Sequence, residues 1–311
     1  MITVLAGGVG AARLLRGVLA VHPATEVTAV VNTADDVILH GLHVSPDLDT
    51  VTYTLAGAIN PETGWGLVDE SWQAMATLGR YGGITWFNLG DRDLGTHLYR
   101  TQRLSEGATL SEATAAIVAG WELDLTVLPV TDDRLRTMVT IDAETGGGTQ
   151  EIGFQEYFVQ RHHDVAVRSV RFDGASACAP APGVLDAIGS AQRVVIAPSN
   201  PIVSIGPLLA VPGVRDAVVA RREATVAVSP IIAGAALKGP ADRLLRELGH
   251  ESTVVGVARL YRDLAATLIV DTVDADLAPA VEAEGVRCVI APTIMSGPDE
   301  AAALGRVVLR A

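Results

Sequence analysis

Four carboxylates lie close together in the chain, shortly after an apolar run. Asp35 and Asp36 follow residues 27–31 closely, and Asp47 and Asp49 complete the group within 15 residues. Carboxylates at such density repel one another unless a cation or proton lies between them. Mg²⁺ binds one or two carboxylates together with waters and substrate phosphates. The group therefore indicates metal binding or catalysis, with helix N-capping by Asp47 or Asp49 as the structural alternative.

The spacing within this group also predicts the direction of two of its side chains. Asp47 and Asp49 are two residues apart, and in an extended loop both side chains would point to the same side. On that interpretation the pair would face a bound cation together.

A glycine-rich turn follows the first apolar run and contains Gly7, Gly8 and Gly10. Glycine lets the backbone approach a phosphate, and the helix predicted over residues 11–19 would supply N–H donors and a positive dipole end. The usual dinucleotide fingerprint places a third glycine where Arg13 stands. We therefore predict a phosphate or nucleotide contact, with Arg13 either contacting the same anion or lying on the helix surface. A tight strand–helix turn without a ligand is the alternative.

A second polar loop, residues 198–207, follows the apolar run at 194–197. Two prolines and a glycine restrict this loop, and Ser199, Asn200 and Ser204 supply hydrogen-bonding groups. The Gly-x-Ser-x-Gly motif of a nucleophilic serine is absent here, and no histidine is near in sequence. The loop is therefore predicted to bind a phosphate or a base, with a bare strand–helix turn as the alternative.

The composition excludes several classes of partner. The net charge is 23 minus 36, or −13, and Lys238 is the only lysine. Nucleic acid requires clustered Lys and Arg, so an acidic chain argues against such a partner. No run approaches the ~18 apolar residues of a membrane span, and the first residues lack the basic region of a secretion signal. Cys178 and Cys288 give no disulfide framework, so we expect a cytoplasmic protein without a membrane or nucleic-acid partner.

The elements that position these residues repeat along the chain. Short apolar runs end in Gly, Ser, Thr, Asn or Asp, and helical stretches often follow them, which is typical of a parallel sheet. The predicted strands are residues 2–5, 27–31, 86–89, 125–130, 194–197, 225–228, 254–257, 267–270 and 288–291. Ligands of such sheets bind outside the carboxyl ends of the strands, where the polar residues cluster. We predict an α/β, Rossmann-like, mostly parallel sheet with helices on both faces.

One segment departs from this pattern. Residues 138–142, 150–159 and 165–172 are predicted to be hairpin strands, with a glycine-rich turn at Gly146, Gly147 and Gly148. We therefore expect residues 136–184 to form a smaller inserted α+β lobe, while residues 1–135 and 185–311 form the core.

Several of these motifs together resemble one family. They are similar to those of the 2-phospho-L-lactate transferases and phosphoenolpyruvate transferases that build the deazaflavin coenzyme F-420. The matching stretches, from residue 7 to about 241, are GGVGAARLL, NTADD, HGLHVSPDLDTV, LGDRDLGTH, PVTDDRLRT, FQEYFV, APSNPIVSIGP and SPIIAGAALKGPA. Long motifs in one order are far more specific than a single glycine turn.

The resemblance implies a reaction and its cofactor. The primary alcohol of 8-hydroxy-5-deazariboflavin (FO) would attack a guanosine diphospho-lactate or diphospho-enolpyruvate, and GMP would leave. Mg²⁺, held by Asp35 and Asp49, would neutralise the diphosphate, and a carboxylate, Asp49 or Asp36, would take the alcohol proton. A homodimer is a further expectation from the resemblance alone.

The resemblance also assigns substrate contacts. FO contacts fall on Asp49, with Thr50 beside it, and on Asn88, which departs from the basic residue common in archaeal members. Gly7, Gly8, Gly10 and Arg13, with Ser199, Asn200 and Ser204, would hold the guanosine diphosphate. The lactyl and enolpyruvyl donors differ only beyond the phosphate, and the FQEYF stretch and the composition lean towards the enolpyruvyl form.

Two other classes of function stay open on the sequence. A dinucleotide-dependent oxidoreductase using NAD(P) would have the glycine turn and an acid after the second strand, where Asp35 and Asp36 lie. A non-catalytic nucleotide-sugar-binding regulator of the same fold would bind the nucleotide and leave FO unused.

Overall fold

The computed structural model describes residues 1–143 and 147–311, so Gly146 of the predicted glycine turn lies outside the described residues. The strands are β1 (Ile2–Ala6), β2 (Val27–Val31), β3 (Val37–Leu39), β4 (Leu42–Val44), β5 (Thr126–Pro129), β6 (Arg136–Asp142), β7 (Thr149–Gly153), β8 (Val167–Asp173), β9 (Arg193–Ile196), β10 (Thr225–Val228), β11 (Ile231–Ile232), β12 (Ala235–Ala236), β13 (Thr267–Val270) and β14 (Arg287–Ile290).

Helices alternate with these strands along most of the chain. They are α1 (Gly8–Leu19), α2 (Pro46–Leu55), α3 (Gln73–Arg80), α4 (Asp93–Ser105), α5 (Leu110–Gly120), α6 (Val184–Ser190), α7 (Gly206–Ala210), α8 (Val214–Ala220), α9 (Ala241–Glu247), α10 (Val254–Tyr261), α11 (Ala278–Ala283) and α12 (Pro298–Arg310).

A seven-stranded parallel sheet forms the centre of the molecule. Its strand order is β14-β13-β10-β9-β1-β2-β5, and β1 pairs in parallel with both β2 and β9. From β1 the chain first builds outward to β2 and β5, and then returns to build β9, β10, β13 and β14 on the other side. The direction of strand order therefore reverses between β1 and β9, and in open α/β sheets the ligand crevice forms at this point.

Both faces of this sheet are covered, as predicted. Successive side chains of a strand point to opposite faces, so Leu5 and Val30 contact one core while Val4 and Val31 contact the other. Residues of α6, α8, α10 and α11 line the first core, and residues of α1, α2, α5 and α12 line the second. The inner strands β1, β2, β9, β10 and β13 are mostly apolar because both of their faces are largely buried.

A smaller antiparallel sheet lies within the predicted insertion. Its order is β7-β6-β8, and Val139, Ile141 and Ile152 form a separate core with Phe154 and Tyr157. The predicted strand at 150–159 is too long: β7 ends at Gly153, and the chain turns into the helical segment Glu156–Gln160.

Two predicted strands of the central sheet are wrong. Residues 254–257 begin α10, whose N-cap Thr253 accepts a hydrogen bond from the backbone N–H of Gly256. Residues 86–89 form no strand; Leu89 is buried in a small satellite core with Met75. A short apolar run does not distinguish a strand from a buried helix or loop, because all three bury the same side chains.

Among the described residues, no single helix is long and apolar enough to cross a membrane. Two successive helical stretches, Pro201–Ala210 and Val214–Ala220, meet the criterion only as a pair, and they are bent by 98° to each other.

Candidate active site at the carboxyl edge of the sheet

A cleft of about 770 Å³ opens at the point where the strand order reverses. The glycine turn after β1 forms one wall, and the loop after β9 forms the facing wall. The residues expected to bind substrate or metal that line it are Gly7, Gly8, Gly10, Arg13, Asp35, Asp49, Thr50, Asn88, Ser199, Asn200 and Ser204. The fold therefore brings the glycine turn, the polar loop and three of the four clustered carboxylates, Asp47 among them, into one cavity.

The two walls touch through glycine positions. A Cβ on Gly10 would lie 2.4 Å from the carbonyl oxygen of Pro198, and one on Gly7 would lie 2.7 Å from Cβ of Ser204. The Ser199 hydroxyl donates to the carbonyl of Gly7 (2.8 Å) and accepts from the N–H of the same residue (3.3 Å). Glycine is thus required for close approach of the two loops, and Ser199 joins them.

The other polar residues of these two walls have defined partners. Oδ1 of Asn200 accepts from the N–H groups of Ile202 (2.9 Å) and Val203 (3.3 Å), which caps the helical segment Pro201–Ile205. Arg13 Nη1 donates to the carbonyl of Met295 at 3.4 Å and lines the cleft. Arg13 therefore faces the cavity, as contact with a bound anion would require.

Asp47 and Asp49 do not lie in an extended loop, so the expectation that they point together is wrong. Pro46, which favours the first position of a helix, begins α2 here, and both aspartates fall in its first turn. Two residues along a helix correspond to a rotation of about 200°, so the carboxylates diverge. Ser45 is the N-cap residue, and no side chain makes a capping bond. Neither aspartate is therefore an N-cap.

Asp47 faces the end of β2 and the glycine turn. Its Oδ2 accepts from Nδ2 of Asn32 at 3.0 Å. Burial raises the pKa of Asp47 to about 6, against hydrogen bonds from the Asn32 amide and the Gly8 N–H, which lower it. The carboxylate is thus in contact with the residues expected to bind phosphate.

Asp35 is the least satisfied carboxylate of the group. It is 6% exposed, and among the described residues its Oδ1 makes no hydrogen bond, although Thr137 and Asn32 lie near enough to the carboxylate to lower its pKa. Burial raises the pKa of Asp35 well above its ordinary value, and the charge of Asp47 raises it further. A buried carboxylate with a free oxygen beside a second carboxylate is the donor set that a divalent cation stabilises.

Asp36 faces away from the main cleft. It lines an adjoining cavity of about 490 Å³, to which Asp35 also contributes. Its Oδ2 accepts from the hydroxyl of Ser45 (2.6 Å) and lies 3.0 Å from Nε2 of His43. Burial raises the pKa of Asp36, although the His43 and Ser45 contacts oppose that effect.

Asp49 lies on the opposite side of α2, against α4. Both of its oxygens accept from Arg100, with Nη1 at 3.2 Å from Oδ2, and His97 Nδ1 lies 3.7 Å from Oδ2. Nε2 of His97 is 3.3 Å from Oδ2 of Asp93, whose Oδ1 accepts from the hydroxyl of Tyr53 at 2.6 Å. Burial raises the pKa of Asp93, but the contacts with His97, Tyr53 and Arg100 outweigh it and the pKa is lowered.

This buried network includes a residue that sequence reasoning missed. Asp93, His97 and Arg100 are spaced by four and three residues on α4, so they share one face of the helix. Arg100 is 1% exposed, and its guanidinium donates to both oxygens of Asp49. The helical spacing was a signal, but nothing in the sequence distinguishes a buried arginine from the other arginines.

Ligand atoms of Asp49, Asp93 and His97 all lie within 4.8 Å of one another, as in a metal site. The guanidinium of Arg100 already neutralises this set, with Nη1 3.4 Å from Nδ1 of His97. A second cation there would meet a fixed positive charge. Asp35 and the neighbouring Asp47 fit a cation better.

Fold and site together define an α/β scaffold with a glycine turn and an acidic cleft at the point where its strand order reverses. The chain belongs to the 2-phospho-L-lactate transferase (CofD) family, whose model matches residues 2–294. This is a family of transferases, and its members span the whole length of the chain.

Curated relatives agree with this assignment, and solved structures share the fold. The chain is 48% identical over 310 residues to a phosphoenolpyruvate transferase of Streptomyces griseus, covering 99% of this chain and 97% of the relative. It is 42% identical over 318 residues to a phosphoenolpyruvate transferase of Mycolicibacterium smegmatis, covering 99% and 97%. Crystal structures of a UPF0052-family protein of Bacillus halodurans, 18% identical, match with TM-scores of 0.63 and 0.62 over 99% of this chain and 98% of theirs. The structural likeness confirms the fold.

Proposed function

We propose that this protein transfers a phosphoenolpyruvyl group from a guanosine diphospho donor to the primary alcohol of FO and releases GMP. The observation that carries the proposal is the convergence of the glycine turn, the Ser199 loop and the carboxylates of Asp35, Asp47 and Asp49 in one cleft. The relatives named phosphoenolpyruvate transferase favour the enolpyruvyl donor over the lactyl donor.

The cleft offers matching surfaces for both substrates. The diphosphate fits the N-terminus of α1, whose backbone N–H groups and positive dipole end favour anions. Aromatic pairs stand on the other side: Trp86 and Phe87 meet edge to face at 5.9 Å, and Phe154 and Phe158 stack at 5.5 Å. Such walls suit a flat deazaflavin ring, because aromatic faces bury large apolar area against planar ligands.

Mg²⁺ fits the acidic group of this cleft. Asp35 is a proposed ligand because its buried Oδ1 makes no hydrogen bond among the described residues. Asp49 is the second ligand expected from the sequence, but Arg100 already binds both of its oxygens. Asp47, whose charge acts most strongly on Asp35, is therefore the better second ligand. When bound, the cation would neutralise charge on the diphosphate.

The chain's own residues then position and deprotonate the alcohol. The alcohol oxygen attacks the phosphorus that bears the enolpyruvyl group, and the bond from that phosphorus to the bridging oxygen breaks. The electron pair leaves with GMP. Asp49, oriented by the hydrogen bonds that Arg100 donates to both of its oxygens, accepts the proton of the alcohol. Asp36 lines the adjoining cavity, so we assign the proton transfer to Asp49.

Product analysis tests the proposal directly. Purified protein is incubated with FO, Mg²⁺ and each guanylyl donor separately, and products are identified by mass spectrometry. We expect GMP and the enolpyruvyl phosphodiester of FO from the enolpyruvyl donor. No phosphodiester from either donor would overturn the proposal, and product from the lactyl donor alone would overturn the donor assignment. NAD(H) serves as the control ligand in a parallel melting experiment, where we expect no stabilisation.

A further inference from the structure

Two permanent cations line the cleft. Of 23 Lys and Arg residues, Arg13 and Lys238 are the two among the described residues whose side chains belong to this cavity. The remaining charged residues that line it, histidines aside, are the acids Asp35, Asp47, Asp49 and Asp93. Lys238 is also the only lysine of the chain, in a protein that uses arginine at its 22 other basic positions.

Lys238 stands at the mouth of the cleft, opposite the first turn of α1. It follows the β11–β12 hairpin, and its side chain reaches across to the loop around Gly64. A Cβ placed on Gly64 would lie 3.1 Å from Nζ of Lys238 and 3.9 Å from Cγ2 of Val9. Nζ of Lys238 is therefore at most about 7 Å from a methyl group of Val9, in the glycine turn where the diphosphate is proposed to bind.

The ammonium group has no anionic partner from the protein. Within the described part of the chain, no carboxylate lies within 4.0 Å of Nζ, and no hydrogen bond from Lys238 is found. Its neighbour, the N-terminus of α1, also carries partial positive charge. Two positive groups facing one cavity repel each other mildly, and an anion placed between them removes that repulsion.

We infer that Lys238 binds the anionic part of the donor at the mouth of the cleft and sets the affinity for the donor without contacting FO. The inference rests on the proposed function and names a substrate-binding residue for it. An ammonium group on a flexible stem contacts an anion as a point charge, which suits a donor that must enter, lose its transferred group and leave as GMP. The anion is either a phosphate or the carboxylate of the transferred group.

The single lysine permits a direct binding test. Reductive methylation with ¹³C-formaldehyde keeps the positive charge and labels only Lys238 and the terminal amine. We expect the Lys238 signal to shift saturably when the complete donor and Mg²⁺ are added, and to shift with GDP and Mg²⁺ as well if the contact is to phosphate. The terminal signal should stay in both titrations. GDP binding is measured on the same sample by calorimetry. If GDP and the complete donor both bind but neither shifts the Lys238 signal, the inference about Lys238 is overturned while the proposed function stands. Failure of GDP and donor to bind the wild-type protein would overturn the proposed function as well.

Variants then separate charge from packing. Lys238→Met is expected to raise the donor KM about 10- to 100-fold, as the loss of a charge-assisted hydrogen bond does, with the KM for FO unchanged. Lys238→Arg should stay within about 3-fold of wild type, since the charge remains. Arg306→Met, on the exposed face of α12, is the matched control.

The same variants identify the anion. If Lys238→Met weakens GDP and donor equally, the contact is to phosphate; if it weakens the donor alone, the contact is to the carboxylate. Unchanged donor KM and GDP affinity in Lys238→Met, at wild-type melting temperature, would overturn the inference.

Discussion

Arg100 and Asp49 form a buried, two-pronged ion pair between α4 and α2. The guanidinium donates to both carboxylate oxygens, and the two side chains are 1% and 7% exposed. Burying two charges costs desolvation that their attraction only partly offsets. The pair is therefore better understood as a device that fixes Asp49 in one orientation at the cleft than as a source of stability.

Breaking this pair from one side should be costly. Arg100→Met leaves the carboxylate of Asp49 buried and uncompensated, so the free energy of unfolding should fall by about 3–5 kcal/mol. The double variant Arg100→Met with Asp49→Asn removes both charges and should recover part of that loss. Urea denaturation of the three proteins measures the coupling. Additive losses in the double variant would contradict a direct pair.

Asp49 should be needed for turnover, while the fold survives its loss. Asp49→Asn keeps the shape and still accepts hydrogen bonds from Arg100, but it cannot take the proton of the alcohol. We expect kcat to fall at least 100-fold, the range general-base groups contribute, with the circular dichroism spectrum unchanged. The role of Asp49 in proton transfer fails if Asp49→Asn forms product at a near-normal rate.

Stability should depend on pH through Asp47. Its pKa is about 6 in the folded protein and ordinarily 3.8, so the folded state holds the proton more tightly than the unfolded state. Without Mg²⁺, stability is therefore present below pH 4 and is lost as the pH rises through about 6. Asp47→Asn removes this loss and should be more stable than wild type by about 1–3 kcal/mol at pH 7.5 in EDTA.

The comparison is made by urea denaturation in EDTA at pH 7.5 and pH 4. The advantage of Asp47→Asn should shrink to less than about 1 kcal/mol at pH 4, where wild-type Asp47 is protonated in the folded state and about half protonated in the unfolded state. A wild-type protein as stable as the variant at pH 7.5 would show that burial does not raise the pKa of this carboxyl.

Mg²⁺ should stabilise the protein through Asp35. A ligand at 100 times its dissociation constant adds about 3 kcal/mol to the free energy of unfolding, so the melting temperature should rise with Mg²⁺ concentration. Asp35→Asn should remove most of that rise, whereas Asp263→Asn, at an exposed position outside the cleft, should keep it. An equal rise in Asp35→Asn and wild type would exclude Asp35 as a ligand. Chelation should also stop turnover.

The contact between the two cleft walls can be tested at Gly10. Alanine there would place Cβ 2.4 Å from the Pro198 carbonyl, which is backbone and moves only with the loop. We expect Gly10→Ala to lower stability by about 1–3 kcal/mol and to weaken GDP binding. Gly95 is the matched control, since its Cβ would meet no atom within 4 Å inside α4, and alanine there should stabilise the helix slightly. Equal effects at both positions would contradict the close approach.

Much of the central sheet could be predicted from sequence because its strands are buried on both faces and read as continuous apolar runs. The positions of Gly7 and Ser199 at strand ends followed from the same pattern. The orientation of Asp49 could not be predicted, because it depends on α2 beginning at Pro46 rather than on the spacing of two aspartates. The contact of Arg100 with Asp49 could not be predicted, because the two residues are 51 positions apart and only the packing of α4 against α2 brings them together. Residues 86–89 and 254–257 were also predicted wrongly, because an apolar run indicates burial but does not distinguish a strand from a helix or a loop.

Because β1 pairs with β9, the cleft can be completed only when residues far along the chain are present. The glycine turn is made among the first residues, but the hydroxyl that joins it to the opposite wall belongs to Ser199, 192 residues further along. Contacts at such separation form slowly, because a long loop must close before they are gained. A nascent chain lacking β9 would thus carry only one wall of the cleft, and if the cleft binds a nucleotide as proposed, that binding would report that both halves of the polypeptide have come together.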